Sequence, residues 1–236
     1  MVAALAEAPA SPVTVVMVAT AEQLTAVVDA ALEGDVEHQL WIVMSTVGPD
    51  AVRRDGARLE SAGAWLVDAP VTGGVTGARA ARLRIFAAGH EDDLTAARSV
   101  LEALGTPATV GASLGAGQAV KVINQLLCSV HLVAAAEAVA LAEGLGLDAA
   151  AVLDLVGAGA GASWMLGDRG SRMLAEPEEV SSTVGIFVKD SGLVASAAES
   201  VGIDLPVLIA ARDRFALAAE RGWGSADDSQ VVQTYR

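Results

Sequence analysis

Strand signals alternate with helix signals as far as Gly111, and beyond Gly111 they cease. Residues 13–19 (VTVVMVA) form a continuous apolar, β-branched run, the pattern of a parallel strand buried on both faces. A helix pattern follows over 22–32, a second strand over 40–44, and a helix over 49–62 with proline in its first turn. Residues 65–68 and 82–88 read as strands, 92–104 as a helix and 108–110 as a short strand. This alternation predicts an α/β layer on a mostly parallel sheet. The later spacing predicts only helices, over 115–144, 147–156, 163–174, 184–201, 206–220 and 227–232, linked by glycine-rich breaks such as 157–161. The expected division is therefore an α/β domain over 1–111 and an all-α domain over 112–236. With 53% hydrophobic residues in 236, the chain can fill one large core or two modest ones.

The formal net charge of −14 argues against a nucleic-acid surface. It leaves room for a small anionic substrate, because local dipoles and single cations outweigh a distant field. Cys128 is the only cysteine and reads as a small core residue, so no intrachain disulfide is possible. Three histidines far apart in sequence give no zinc cluster. Residues 1–12 lack the basic and apolar regions of a signal peptide. The most apolar helix pattern, over 126–142, is interrupted by His131 and Glu137 and reads as a buried core helix rather than a membrane span. A cytoplasmic protein without membrane or nucleic-acid partners is expected.

The densest chemistry lies in residues 115–125, GAGQAVKVINQ. Lys121, Asn124 and Gln125 share one helix face. A cation and two amides on the buried side of an apolar helix are costly unless used. Two readings stand: a ligand-binding face, or a snorkelling lysine with amides satisfied by backbone. Residues 68–74, DAPVTGG, end a strand in a turn whose two glycines let backbone N–H groups approach a ligand. Carboxyl ends of parallel strands are where open α/β sheets place ligands. An ordinary tight turn fits the same residues equally well. A dinucleotide fingerprint G-x-G-x-x-G between strand and helix is absent. The looser Gly144-x-Gly146-x-x-Ala149 stands between two helix patterns and is rejected. Lys189–Asp190 alone reads as a solvated helix face. Glu137 is open between a hydrogen-bonding and a site role, and Trp164 between core and pocket wall. His131 reads as a core histidine.

Taken in order, Ser45-Thr46, DAPVTGG, GAGQAVKVINQ, IFVKD at 186–190 and the GWG and DDS segments at 222–224 and 227–229 resemble the β-hydroxyacid dehydrogenases, the family of 3-hydroxyisobutyrate dehydrogenase. The finer likeness is to its L-threonate dehydrogenase branch, through 121–127 with Val130-His131, Ser163-Trp164-Met165, IFVKD and Leu205-Pro206. The resemblance implies a truncated Rossmann-type domain followed by a helical substrate and dimerisation domain. It implies NAD, with NADP not excluded, a small hydroxy-acid substrate, and a homo-oligomer. Lys121 matches the catalytic lysine that takes the substrate hydroxyl proton, and burial is expected to depress its pKa. Thr72, Gly73 and Gly74 match the turn that binds the substrate carboxylate. Asn124 and Gln125 match the substrate-contacting amide. Ala19, Thr20, Thr46 and Lys189 match cofactor-side positions.

Members of this family begin with a strand, the glycine fingerprint and further elements before the equivalent of Val13, and these are missing here. The expectation is a truncated record of an NAD-dependent dehydrogenase, most plainly of L-threonate, with an unpaired sheet edge. Two alternatives are a catalytically impaired binding or oligomerisation module, and a dehydrogenase of 3-hydroxyisobutyrate, glycerate or a similar acid.

Overall fold

A computed structural model of the chain describes residues 11–175, 177 and 179–236. The stretch 1–12, but for its last two residues, lies outside them. The chain divides into two compact units, one ending at Val122 and one running from Ile123 to Arg236.

The first unit is an α/β layer. Its strands are β1 (Val13–Val16), β2 (Leu40–Val43), β3 (Trp65–Asp68), β4 (Val71–Thr72), β5 (Leu83–Ala88) and β6 (Gly105–Gly111). Helices α1 (Ala21–Leu32), α2 (Pro49–Ser61), α3 (Gly74–Arg79) and α4 (Glu91–Leu104) connect them, and α5 (Ala116–Gly144) leads out. The order is β1-β2-β3-β5-β4, with β6 on β5. Pairs β1–β2, β2–β3 and β5–β6 are parallel, whereas β5 runs against β3 and β4. The antiparallel end begins inside the DAPVTGG stretch, where a single turn was expected.

Strand β2 (LWIV) is buried at every position. Its side chains alternate between two cores. Trp41 and Val43 join Leu24, Val28, Val52 and Leu59 of α1 and α2, while Leu40 and Ile42 join Ala97 and Leu101 of α4. Strand β1 departs from the expectation of burial on both faces. Val15 is 45% exposed and Met17 65%. The reason is position: among the described residues β1 pairs only with β2 and forms the sheet edge. It also ends at Val16 rather than running to Ala19, because the Val18 N–H turns aside to Ser45 Oγ at 2.7 Å.

Asp55 fastens α2 to α1. Its buried carboxylate accepts from Thr25 Oγ1 at 2.8 Å, Arg54 Nη2 at 2.7 Å and Arg58 Nη1 at 3.1 Å. Burial pushes this carboxyl up, but the three hydrogen bonds outweigh burial and leave its pKa below the ordinary aspartate value. A depressed carboxyl stabilises the fold above its unfolded pKa, and that contribution is lost as pH falls through the folded one. Asp55→Asn is expected to destabilise by about 1.5–3 kcal/mol at neutral pH. In urea denaturation the deficit should shrink in acid, once the native carboxyl also protonates.

The second unit is helical: the remainder of α5, then α6 (Ala149–Gly157), α7 (Trp164–Leu174), α8 (Val184–Ser200) and α9 (Pro206–Ala218). A π-helical turn (Ala219–Trp223) and a 3₁₀ helix (Asp228–Tyr235) close it. Its core joins Leu132, Ala136 and Val139 of α5 to Met173, Phe187, Phe215 and Val231. Phe187 and Phe215 stack with centroids 5.0 Å apart. Arg169 Nε donates to the buried Asp228 Oδ1 at 2.7 Å, and Arg172 bonds Asp227, tying the 3₁₀ helix to α7.

Two open readings, those of Glu137 and Trp164, resolve here. Glu137 is exposed and accepts from the Tyr235 hydroxyl at 3.0 Å. Burial, together with that hydrogen bond and charge, pushes the Tyr235 pKa up to about 12. Trp164 is 57% exposed and so is not core; the Arg169 guanidinium lies 5.9 Å from its ring centroid. Helix α5 is long and apolar enough to cross a membrane by length and composition alone, yet its inner face supplies both core and buried polar residues.

Candidate functional site

The start of α5 is held by one carboxylate and one amide. Asp68, fully buried at the end of β3, accepts from the N–H groups of Gly115 and Gln118 through Oδ2, each at 3.0 Å. These donors open the helix and have no intrahelical partner, so Asp68 caps α5 from another segment. Gln118, also fully buried, donates through Nε2 to Asp68 Oδ1 at 3.0 Å and to the Ser45 carbonyl at 2.9 Å. Its Oε1 accepts from the N–H groups of Val47 at 3.0 Å and Gly48 at 3.1 Å. Burial raises the Asp68 pKa, against the lowering effect of hydrogen bonds from Gln118 and the backbone. The close approach requires glycine at 117, where a Cβ would lie 2.4 Å from the Phe86 carbonyl oxygen and 3.0 Å from Asp68 Cγ.

Lys121 follows on the same helix and is only 7% exposed. Gln118, Lys121, Gln125 and Ser129 form one buried polar stripe. Their steps of three, four and four residues keep to one helix face. Asn124 sits at the margin, half-buried, donating to Gln125 Oε1 at 2.8 Å and Cys128 Sγ at 3.3 Å. Cys128 packs against the helical core.

The positions of the first unit expected on the cofactor side follow the carboxyl ends of adjacent parallel strands. Ala19 and Thr20 come after β1, and Thr46 after β2. Thr46 is half-buried between Ser45 and Val47, both of which bond to Gln118. Ala19 is exposed and its N–H donates to Gln23 Oε1 at 2.8 Å. The Thr20 hydroxyl is committed to α1, accepting from the Gln23 N–H in a capping box. Thr72 lies on β4 opposite Arg84. Gly73 and Gly74 have φ of 121° and 62°. Nothing lies within 4 Å of a Cβ placed at Gly74, so glycine answers to the backbone there and the turn faces open space.

In the second unit, Gln125 Nε2 donates to Asp190 Oδ2 at 2.5 Å, and Lys189 Nζ lies 2.9 Å from Asp190 Oδ1. Asp190 is 3% exposed and Lys189 half-buried, so this pair is not the solvated face that its sequence suggested. The structure thus joins Asn124, Gln125 and Lys189 through Asp190. It places Ala19 and Thr20, Thr46, and Asp68 at the carboxyl ends of the successive parallel strands β1, β2 and β3, and Asp68 anchors the helix of Lys121. Among the described residues no group of His, Cys, Asp and Glu is placed to hold a metal ion.

Sequence reasoning passed over Asp68, Gln118, Ser129 and Asp190. The first three needed only the helix stripe to be extended one turn each way and the strand-end carboxylate to be noticed. A second signal was compositional. Of fifteen lysines and arginines, only Lys121 and Lys189 are lysine. Arginine stays protonated in proteins, whereas lysine can give up its proton. A chain that uses arginine everywhere else keeps lysine at these two places.

Comparison with known proteins places this chain in a family. Residues 2–145 match the NAD-binding domain of 6-phosphogluconate dehydrogenase, and residues 115–235 match the NAD-binding module of NADP-dependent 3-hydroxyisobutyrate dehydrogenase. The chain is 37% identical to the L-threonate dehydrogenase of Cupriavidus necator over 227 residues, covering 94% of this chain and 76% of that one. It is 35% identical to the L-threonate dehydrogenase of Escherichia coli K12, covering 82% of this chain and 65% of that one, so less than two thirds of that relative is spanned. The crystal structure of 3-hydroxyisobutyrate dehydrogenase from Salmonella typhimurium superposes with a TM-score of 0.88 at 33% identity, over 94% of this chain and 79% of that one. The chain belongs to the 3-hydroxyisobutyrate dehydrogenase-like family of NAD(P)-dependent 3-hydroxyacid dehydrogenases.

Proposed function

We infer that the protein oxidises a C4 sugar acid, L-threonate, with NAD, using Lys121 as the proton acceptor. The observation that supports this most directly is the buried lysine on the Gln118–Ser129 stripe. The relatives named for L-threonate support the substrate. Lys121 Nζ as free amine takes the proton of the substrate hydroxyl, and as ammonium returns it in reduction. Thr72 offers a hydroxyl, and the glycines after it offer N–H groups, to the substrate carboxylate. Gln125, oriented by Asp190, and Asn124 present amides to the substrate hydroxyls. When bound, NAD supplies the hydride acceptor.

The described residues fit the nicotinamide end of such a cofactor. Ala19–Thr20 and Thr46 follow neighbouring carboxyl strand ends, where this kind of sheet takes its ligands. In the helical unit, Lys189 is a half-buried cation beside Asp190. No G-x-G-x-x-G strand–helix turn for the pyrophosphate occurs in these 236 residues. The reading includes a cytoplasmic homo-oligomer. The outer face of α5 leaves Ile123, Leu127 and Leu141 between 51% and 64% exposed, a stripe suited to a second copy.

Initial rates with L-threonate, 3-hydroxyisobutyrate and glycerate, each with NAD and NADP, test the assignment. The highest kcat/KM is expected for L-threonate with NAD. A higher value for another acid replaces the substrate, and no turnover of any acid with bound cofactor removes the enzymatic reading.

A further inference from the structure

We propose that Asp68 and Gln118 are positioning residues that set where Lys121 and Thr46 stand, over and above holding the fold. The inference rests on the reading of Lys121 as the proton acceptor. Three segments carry the first unit's proposed ligand groups: the loop after β2 with Thr46, the stretch after β3 with Thr72, and the start of α5 with Lys121. A single side chain, Gln118, belongs to the third of these and bonds to the first and to the end of β3, from which the second runs on. Its amide reaches the Ser45 carbonyl and the Val47 N–H, which flank Thr46, and Asp68, four residues before Thr72. Lys121 follows Gln118 by three residues on the same rigid helix.

The contacts leave Gln118 little freedom. Both its oxygen and its nitrogen have two partners, and both Asp68 oxygens are engaged. Rotation of α5 about its axis would break the Gly115 and Gln118 N–H bonds to Asp68 together. Gly117 lets α5 lie close against β5, where even a Cβ would sit 2.4 Å from the Phe86 carbonyl oxygen, so little room is left for the helix to move further toward that strand. The helix is therefore fixed in phase and in depth just before the residue that must meet the substrate. A displacement near 1 Å from such a position costs on the order of 100-fold in rate.

Gln118→Met keeps the side chain's length and bulk and removes its four hydrogen bonds. Asp68→Asn keeps the shape and turns one acceptor into a donor that faces donors. Asp55→Asn is the comparator, a buried aspartate of the same unit that bonds only across α1 and α2. Each variant is assayed for kcat and KM with NAD. Each is also labelled with isotopic lysine, because only two lysine side-chain signals exist to follow.

Gln118→Met and Asp68→Asn are expected to lose at least tenfold in kcat with KM for the acid changed less than threefold, and to shift the Lys121 Cε signal. Asp55→Asn should lower stability without moving either. A Gln118→Met or Asp68→Asn variant with wild-type kcat and an unmoved Lys121 signal overturns the proposal. So does a Lys121 shift of equal size in Asp55→Asn. If the wild type turns over no hydroxy acid, the dehydrogenase reading fails by itself, and the lysine signals still decide whether the pair positions Lys121.

Discussion

Replacing Lys121 with alanine is expected to lower kcat for hydroxy-acid oxidation by about 100- to 10,000-fold, the usual span for loss of a general acid–base group. The fold should survive, because alanine is the strongest helix former and the Asp68–Gln118 bonds that hold the start of α5 remain. Alanine is the weaker test, since it removes charge, length and proton acceptor together. Lys121→Arg separates them. Arginine keeps the length and positive charge, and its guanidinium does not deprotonate in proteins. If Lys121 acts by accepting a proton, arginine should be nearly as damaging as alanine in NADH appearance. If Lys121 only attracts the substrate anion, arginine should restore much of the rate. An arginine variant with more than a tenth of wild-type kcat would refute the base assignment. Circular dichroism and thermal melting of the same samples separate chemistry from unfolding.

Gly117→Ala should have the second largest effect, and on stability as well as rate. The added methyl would lie 2.4 Å from the Phe86 carbonyl oxygen. That atom belongs to a strand paired on both sides, so it cannot yield as the end of a side chain would. Overpacking of this kind costs about 1–3 kcal/mol. For a chain of this size the melting temperature should fall by roughly 2–12 °C. Relief by shifting α5 would pull Gly115 and Gln118 away from Asp68, so kcat should fall as well. Gly192→Ala in α8 is the control. Nothing lies within 4 Å of a Cβ there, and alanine favours the helix. A Gly117→Ala protein as stable and active as wild type would mean that α5 has room to move at its start.

The long elements were legible because pattern and burial agree in them. Residues 65–68 were read as a strand and form β3, and 40–44 became β2, since an unbroken apolar run inside a covered sheet has no other use. The run from Val13 was read correctly as a strand but wrongly as central. Composition cannot tell an edge strand from an interior one when the difference is which neighbour pairs with it. The strand near residue 108 proved longer, starting at Gly105 directly after α4. Glycine fits there because a Cβ would lie 2.1 Å from the Leu83 carbonyl oxygen, a constraint visible only once the strands pair. β4 and α3 are short enough to carry no period, and only the glycines of their turn were visible.

For the candidate site, Lys121 and Gln125 declared themselves by spacing along one helix. Asp68 and Asp190 did not, because each acts on a residue distant in sequence: Asp68 on Gly115 and Gln118, Asp190 on Gln125. Resemblance supplied Thr46 and Lys189, which no periodicity distinguishes. The structure adds what resemblance could not, the buried amide whose bonds run to either side of Thr46.

The placement of the two lysines has a practical side. Among the described residues no lysine is fully exposed; Lys121 is buried and Lys189 half-buried beside Asp190. Amine-directed reagents therefore have almost nothing to react with on the outer surface. Among the described residues, acylation, biotinylation or amine crosslinking of the folded protein is directed to Lys189. Such reagents would read out access to the candidate site where, in most proteins, they report only on the surface.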